Sequence, residues 1–152
     1  MEIRPMAGSS DQPLDDHIAA AFRQAEYCIW LDGRMHAFRI GETAAEALTH
    51  LQTLAGLSGA AYVVTPCNPG AHRLSMAVNR TRLASFREQL KLQGVRWMPA
   101  VNRDPTGEWP DEPGALLLDC SETDALEIAR EYGQLAIVRL APRERSELIP
   151  VN

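Results

Sequence analysis

The chain predicts a single α/β domain of the α+β kind, and three observations carry that expectation. Short β-branched and aromatic runs alternate with amphipathic stretches of helical period. Residues that border helices stand where those stretches begin and end, with Ser, Thr or Pro before them and Gly after. The 152 residues, 45% hydrophobic and 23% charged, have the makeup of one ordinary globular unit. A chain of that length can bury roughly two-thirds of its unfolded surface without covalent staples.

Residues 1–11 read as a mobile tail, and Pro13 to Glu26 as a helix, because Pro suits a first turn and Ile18, Phe22 and Ala25 share a face. Two short strands follow, Tyr27 to Leu31 and Met35 to Ile40, joined by the hairpin signal Asp32-Gly33. Thr43 and Glu46 form a capping box for a second helix with the apolar stripe Ala47, Leu48, Leu51, Leu54 and Ala55. Ala60 to Thr65 is a β-branched run stopped by Pro66, and the turn Pro66-Cys67-Asn68-Pro69-Gly70 follows. Ser75 is the expected N-cap of a long helix ending at Gln93-Gly94. Arg96 to Val101 is a strand, Asn102 to Gly114 a loop, and Ala115 to Asp119 a strand. Ser121 with Asp124 caps a helix that ends at Tyr132-Gly133, Leu135 to Leu140 is a strand, and Glu147 to Val151 a last edge segment.

From residue 60 to residue 140 the order is β-α-β-β-α-β, the split βαβ or ferredoxin-like order. The expected architecture is that core, preceded by a helix and a hairpin-helix unit, in one domain spanning 1–152. Right-handed connections then bring the Asn68-Pro69-Gly70 turn, the Asn102 to Gly114 loop and the Gly133-Gln134 corner to one edge of the sheet. That edge is the candidate site.

Composition excludes several functions. No apolar run reaches the length of a membrane span, and Met1 to Gln12 lacks the apolar stretch of a signal peptide, so a cytoplasmic location is expected. Cys28, Cys67 and Cys120 form no C-x-x-C pair and read as small buried hydrophobes in a reducing compartment. The net charge of -5 argues against a general nucleic-acid binder. It also hides a gradient. From Ala71 to Arg103 seven basic residues face Glu88 alone, and from Asp104 to Glu131 nine acids face Arg130 alone. Either the two segments pack side by side and neutralise each other, or a basic helix face meets an anionic ligand.

No residue pattern announces catalysis. Gly-x-Ser-x-Gly, His-Glu-x-x-His and phosphate-binding glycine loops are all missing from the sequence. Asn79 interrupts the helical stripe Met76, Leu83, Phe86 and Leu90, so it either locks the neighbouring turn or faces a ligand. Asn68 carries the same two readings, with Asn before Pro biased to extended backbone. Arg73, Arg80 and His72 stand near the start of the long helix, where an anion would be favoured. The long loop holds Arg103, Asp104, Trp109, Asp111 and Glu112. Its carboxylates suit general acid-base work or a hard cation, or else they belong to a solvated loop pinned by Trp109. Gln134 either caps the adjacent loop or contacts a ligand. Trp30, Trp97 and Tyr62 fall in strands and read as core, the alternative being an aromatic sheet face presented to RNA.

The run Ala61-Tyr62-Val63-Val64-Thr65 into Asn68-Pro69, then Asn79, then Gly107-Glu108-Trp109 with Glu112-Pro113, then Tyr132-Gly133-Gln134 with Ala136-Ile137, resembles an uncharacterised bacterial family of small proteins, domain-of-unknown-function family 3293. The resemblance covers about residues 60–140 and implies no activity. It singles out Asn68, Pro69, Asn79, Trp109, Glu112 and Gln134. Two departures stand out: Thr65-Pro66-Cys67 precedes Asn68 where the family favours a small residue and often an aromatic, and Gly114 stands where it tends to have Ser.

Two functions are expected from these readings. The first is a site for a small polar or anionic ligand, such as a nucleotide or phosphate metabolite. Asn68, Asn79, Arg103, Trp109 and Gln134 would bind it, and Asp111 or Glu112 would serve any hydrolytic or transfer chemistry, with no metal or identified cofactor assigned. The second is an interaction or structural module without catalysis, in which the same residues hold the loops together and a homodimer is admitted. An open cleft among those side chains supports the first, and side chains buried and bonded to each other support the second.

Overall fold

The computed structural model describes residues 14–54, 56–57 and 59–151; the tail expected at 1–11 and the helix start at Pro13 lie outside them. Among the described residues the elements are α1 (Asp16–Gln24), β1 (Glu26–Leu31), β2 (Arg34–Phe38), α2 (Ala45–Leu54), β3 (Ala61–Val64), α3 (Met76–Leu92), β4 (Arg96–Arg103), β5 (Glu112–Leu118), α4 (Glu122–Glu131), β6 (Ala136–Leu140) and β7 (Glu147–Pro150). The fold is mixed α+β. Its strands form one sheet in the order β2-β1-β4-β5-β3-β6-β7, every neighbouring pair antiparallel. No described helix is long and apolar enough to cross a membrane.

Local chemistry explains most boundaries. Asp15 caps α1, accepting from the N–H groups of His17 and Ile18, so the helix opens at Asp16, three residues after the expected start at Pro13. Ser75 and Ser121 cap α3 and α4 through the N–H groups of Val78 and Asp124. Asp32 and Gly33 both take positive φ, as a tight hairpin between right-twisted strands requires. At α2 the expected capping residue Glu46 turns its carboxylate towards Arg34 and His36.

The core lies on both faces of the sheet. On one face Ala47, Leu48 and Leu51 of α2 pack on Tyr27, Ile29, Leu31, Phe38, Val63, Leu116 and Val138. On the other, Phe86 and Leu90 of α3 and Ala125, Ile128 and Ala129 of α4 pack on Tyr62, Val64, Ala115, Leu117 and Ile137. This second cluster draws on β3, β5 and β6, with Trp97 of β4 at its margin, and on no residue of β1 or β2. Trp30, expected in the core, is accordingly 40% exposed. Strand alternation turns Tyr27, Ile29 and Leu31 towards α2 and leaves Trp30 on the face that α3 and α4 do not reach. Met76, the first residue of α3, is also exposed.

Strands β4 and β5 run further than the sequence suggests. Val101 pairs with Pro113 and Asn102 with Glu112, so the expected loop from Asn102 to Gly114 shrinks to residues 104–111. Glu112 thereby becomes the first residue of a strand. Gly114 is where this extension needs glycine: a Cβ there would sit 2.2 Å from the Val64 carbonyl oxygen and 2.8 Å from the Thr65 Cα. Backbone cannot swing aside as a side chain can, so Ser at this position is incompatible with the spacing seen here. Gly114→Ala is expected to cost about 1–3 kcal/mol or more, a fall in Tm of several degrees for a domain of this size. Gly59→Ala, where nothing lies within 4 Å, should change stability by less than about 0.5 kcal/mol. Thermal denaturation of the two variants checks the contrast.

Candidate functional site

The loops 65–75, 104–111 and 132–135 meet at one end of the strands. The N–H of Gly70 donates to the Gly133 carbonyl at 2.8 Å, which ties the first of these loops to the third. Pro69 packs so closely on Gly133 that a Cβ on the glycine would lie 2.8 Å from the Pro69 Cβ, and Gly133 has φ +69 besides.

At the centre is Asn68. Its backbone is left-handed, at φ 50 and ψ 61, and not extended as its place before Pro69 suggests. That conformation costs about 1–2 kcal/mol for a residue with a Cβ, and the side chain's bonds offset it. Asn68 Oδ1 accepts from the Leu74 N–H and from Asn79 Nδ2, each at 2.8 Å. Asn68 Nδ2 donates to Glu112 Oε2 at 2.7 Å, and the Asn68 backbone N–H donates to Asn79 Oδ1 at 3.0 Å. Asn79 is therefore the lock on the turn. It can reach because Ser75 starts the helix one turn earlier and the 79, 83, 86, 90 stripe faces inward.

Glu112 joins the turn to the long loop. Its Oε2 also accepts from Trp109 Nε1 at 2.9 Å. Trp109 is set in turn by Asp104, whose carboxylate accepts from the Trp109 N–H and from Thr106. These bonds hold the Asp104 carboxyl below the usual range, the Thr106 contributions leading. Burial raises the pKa of Glu112 above the usual 4.5, and the hydrogen bonds from Asn68 and Trp109 only partly counter it. Gln134 reaches the same turn from the other side, its Nε2 donating to the Cys67 carbonyl at 2.8 Å.

The structure thus brings together Asn68, Asn79, Trp109, Glu112 and Gln134. Asn68 and Gln134 are 3% and 8% exposed, and the other three are partly buried. Arg103 and Asp111 stand apart. Arg103 is exposed and pairs with Glu26 at the start of β1. Both residues line a shallow cleft of about 550 Å³ with Glu26, Asp104, Thr106 and Trp109. Three carboxylates face one guanidinium there, a poor lining for an anion. His72 and Arg73 are exposed.

Two members of the assembly were not singled out from the sequence. Arg82 donates through Nε to the Pro66 carbonyl at 2.7 Å and through a terminal nitrogen to the Tyr132 carbonyl, bridging two of the loops. Thr65 Oγ1 donates to the Pro113 carbonyl at 2.8 Å and accepts from the Cys67 N–H. Spacing on α3 was the available signal for Arg82, which follows Asn79 by three residues on the same face. Thr65 gave none.

Neither cysteine nor metal chemistry is prepared here. Burial raises the pKa of Cys28 and Cys67, and that of Cys120 to about 11, so few thiolates exist at neutral pH. Among the described residues no three His, Cys, Asp or Glu stand so as to hold a metal ion. His36 and His50 meet edge to ring at 5.2 Å beneath α2, with His36 Nε2 and His50 Nδ1 buried and unbonded.

The Glu112 carboxylate gives a pH test. Its folded pKa lies above the unfolded value, so the native state binds more protons in the window just above pH 4.5. Glu112 therefore adds stability as pH falls through that window and withdraws it as pH rises. Glu112→Gln should remove this component, visible as a wild-type minus variant difference in urea-unfolding free energy that changes across the window. The same difference should be flat at higher pH. Glu112→Ala would leave the Asn68 amide and the Trp109 indole N–H without their acceptor, about 1–3 kcal/mol each, and should lower Tm by several degrees.

Comparison with known proteins adds a family and no activity. No curated protein and no solved structure matches the chain. Over residues 64–137, a span that holds every member of the Asn68–Glu112 network, the chain matches the model of the family DUF3293, described as a protein of unknown function.

Proposed function

We propose that the chain is a non-catalytic binding module in which the loop edge is a structural lock and recognition falls to the open face of the sheet. One observation carries this reading. Asn68, Asn79, Trp109, Glu112 and Gln134 bond to one another and to neighbouring backbone, and do not ring a cleft. A catalytic carboxylate needs reach to a substrate, whereas Glu112 Oε2 already serves two protein donors.

The arrangement of the core supports the same reading. We take β3, α3, β4, β5, α4 and β6 as a ferredoxin-like unit, whose added strands β1 and β2 extend the sheet past its helices. On the face of that extension turned away from α2, Trp30 and Met35 remain uncovered at 40% and 48% exposure, while Cys28 is buried.

A small ligand at the loop edge is the rival, favoured by the cleft beside Arg103, Trp109 and Asp111. A thermal-shift screen against nucleotides, phosphate metabolites and divalent metals separates the two. Under the binding-module reading no compound shifts Tm through the loop cleft, and Trp30→Arg leaves Tm within about 2 °C. A shift of several degrees, about what a ligand at 100 times its Kd produces, that disappears in Arg103→Ala or Asp111→Asn and survives in Trp30→Arg would overturn it.

A further inference from the structure

We infer that the open sheet face and the flank of α3 beside it form a binding track for single-stranded nucleic acid, with bases laid on the sheet and phosphates on the helix; the inference rests on the binding-module reading and names its partner.

The floor follows from strand register. Trp30 pairs with Met35 and Cys28 with Ala37, while Cys28 also faces Val101 across β4. Continuing the β1–β4 register by two residues sets Trp30 opposite Pro99, and Trp97, two residues from Pro99, lies on the same face. Met35, Trp30, Pro99 and Trp97 therefore make a strip across β2, β1 and β4. Trp30, Met35 and Pro99 are exposed and Trp97 is half-buried. The exposed indole of Trp30 offers the kind of flat face that an unstacked base requires.

The wall follows from helical spacing. Arg80, Ala84, Arg87 and Lys91 fall on one stripe of α3, three or four residues apart. A groove of about 560 Å³ runs between that stripe and β4, lined by Arg87, Lys91, Arg96 and Trp97 among others, with Glu88 as its one acid. Among the described residues Arg80, Arg87 and Lys91 form no ion pair, whereas Arg96 is paired with Asp119. Glu88 is the only acid on α3. Among the described residues the basic and acidic segments thus pair only at Arg96 and Asp119. Arg87 lies over the Trp97 ring at 5.3 Å from its centroid, so one cation is already held against one aromatic surface.

Charge and shape together select the partner. Unpaired cations in a row call for a polyanion, and a row of aromatic and apolar residues beside them calls for flat apolar groups at the same repeat. Single-stranded nucleic acid has both, and a duplex hides its bases. The net charge of -5 still argues against indiscriminate binding.

The test is fluorescence anisotropy of a labelled oligothymidylate of about 12 nucleotides, within the roughly 4–16 that one small domain covers, against the full chain at low salt, with a duplex of equal length beside it. Binding should favour the single strand and weaken as salt rises. Arg87→Ala with Lys91→Ala should reduce the slope of log K against log salt by about 1.4, two phosphates at about 0.7 each. Trp30→Ala should weaken binding about tenfold with Tm nearly unchanged, and Trp30→Phe should restore most of it. No anisotropy change at 100 μM protein, equal or tighter binding of the duplex, or binding indifferent to these substitutions overturns the inference while the binding-module reading stands. So does a dimer in sedimentation that Trp30→Ala dissociates, which would give the face to a second copy of the chain. Oligonucleotide binding lost in Arg103→Ala and kept in Trp30→Ala overturns both.

Discussion

The left-handed backbone of Asn68 constrains the whole loop edge. It breaks the line of the chain after β3, and it persists only because three separate elements bond to that one residue: the Leu74 N–H of the following segment, Asn79 on α3, and Glu112 at the start of β5. Each bond also fixes its other partner. Asn79 sets how far along its axis α3 may sit, and Glu112 sets where β5 begins and which way Trp109 turns. A strained residue held from three directions converts local geometry into long-range registration. Gly133 meets Pro69 from a fourth side, and no bulkier residue fits there.

A buried carboxylate in such an assembly need not be catalytic. Its raised pKa measures the cost of removing it from water, and the two donors on Oε2 recover part of that cost. Perturbed titration marks functional sites and structural networks alike. What tells them apart is the occupancy of the lone pairs and the access of a third party. At Glu112, Oε2 is already shared between an amide and an indole, and the cleft beside Trp109 is lined by further acids. The bonds on Oε2 tie the turn at Asn68 to the loop at Trp109.

Much of this was legible in the sequence because it is local. Ser75, Ser121, Gly94 and Gly133 act within one turn of where they stand, so the ends of α3 and α4 fall as read. The edge shared by Asn68, Glu112 and Gln134 was also readable, since handed connections fix which ends of the strands lie together. Three features were not. The left-handed conformation of Asn68 opposes its own preference before proline, and only tertiary partners stabilise it. The extension of β4 and β5 through Pro113 depends on Gly114 lying against Val64, a contact 50 residues apart in sequence. The exposure of Trp30 depends on how far α3 and α4 reach, which no window around Trp30 can report.

That last point ties the fold to the surface it leaves open. Helices α3 and α4 span β3, β5 and β6 on their face, and a sheet of seven strands is wider than two helices can cover. The opposite face closes because the turned-in residues of β1 and β2 reach α2, while on the other face Cys28 is the one buried residue of the hairpin. A strand anchored on one face needs no partner on the other to be stable, and its outward residues are then free of any packing requirement. Under that freedom a polar residue would cost nothing, yet Trp30 and Met35 stand there beside an unpaired basic stripe. Those two side chains are the part of the open face that the proposed recognition would use.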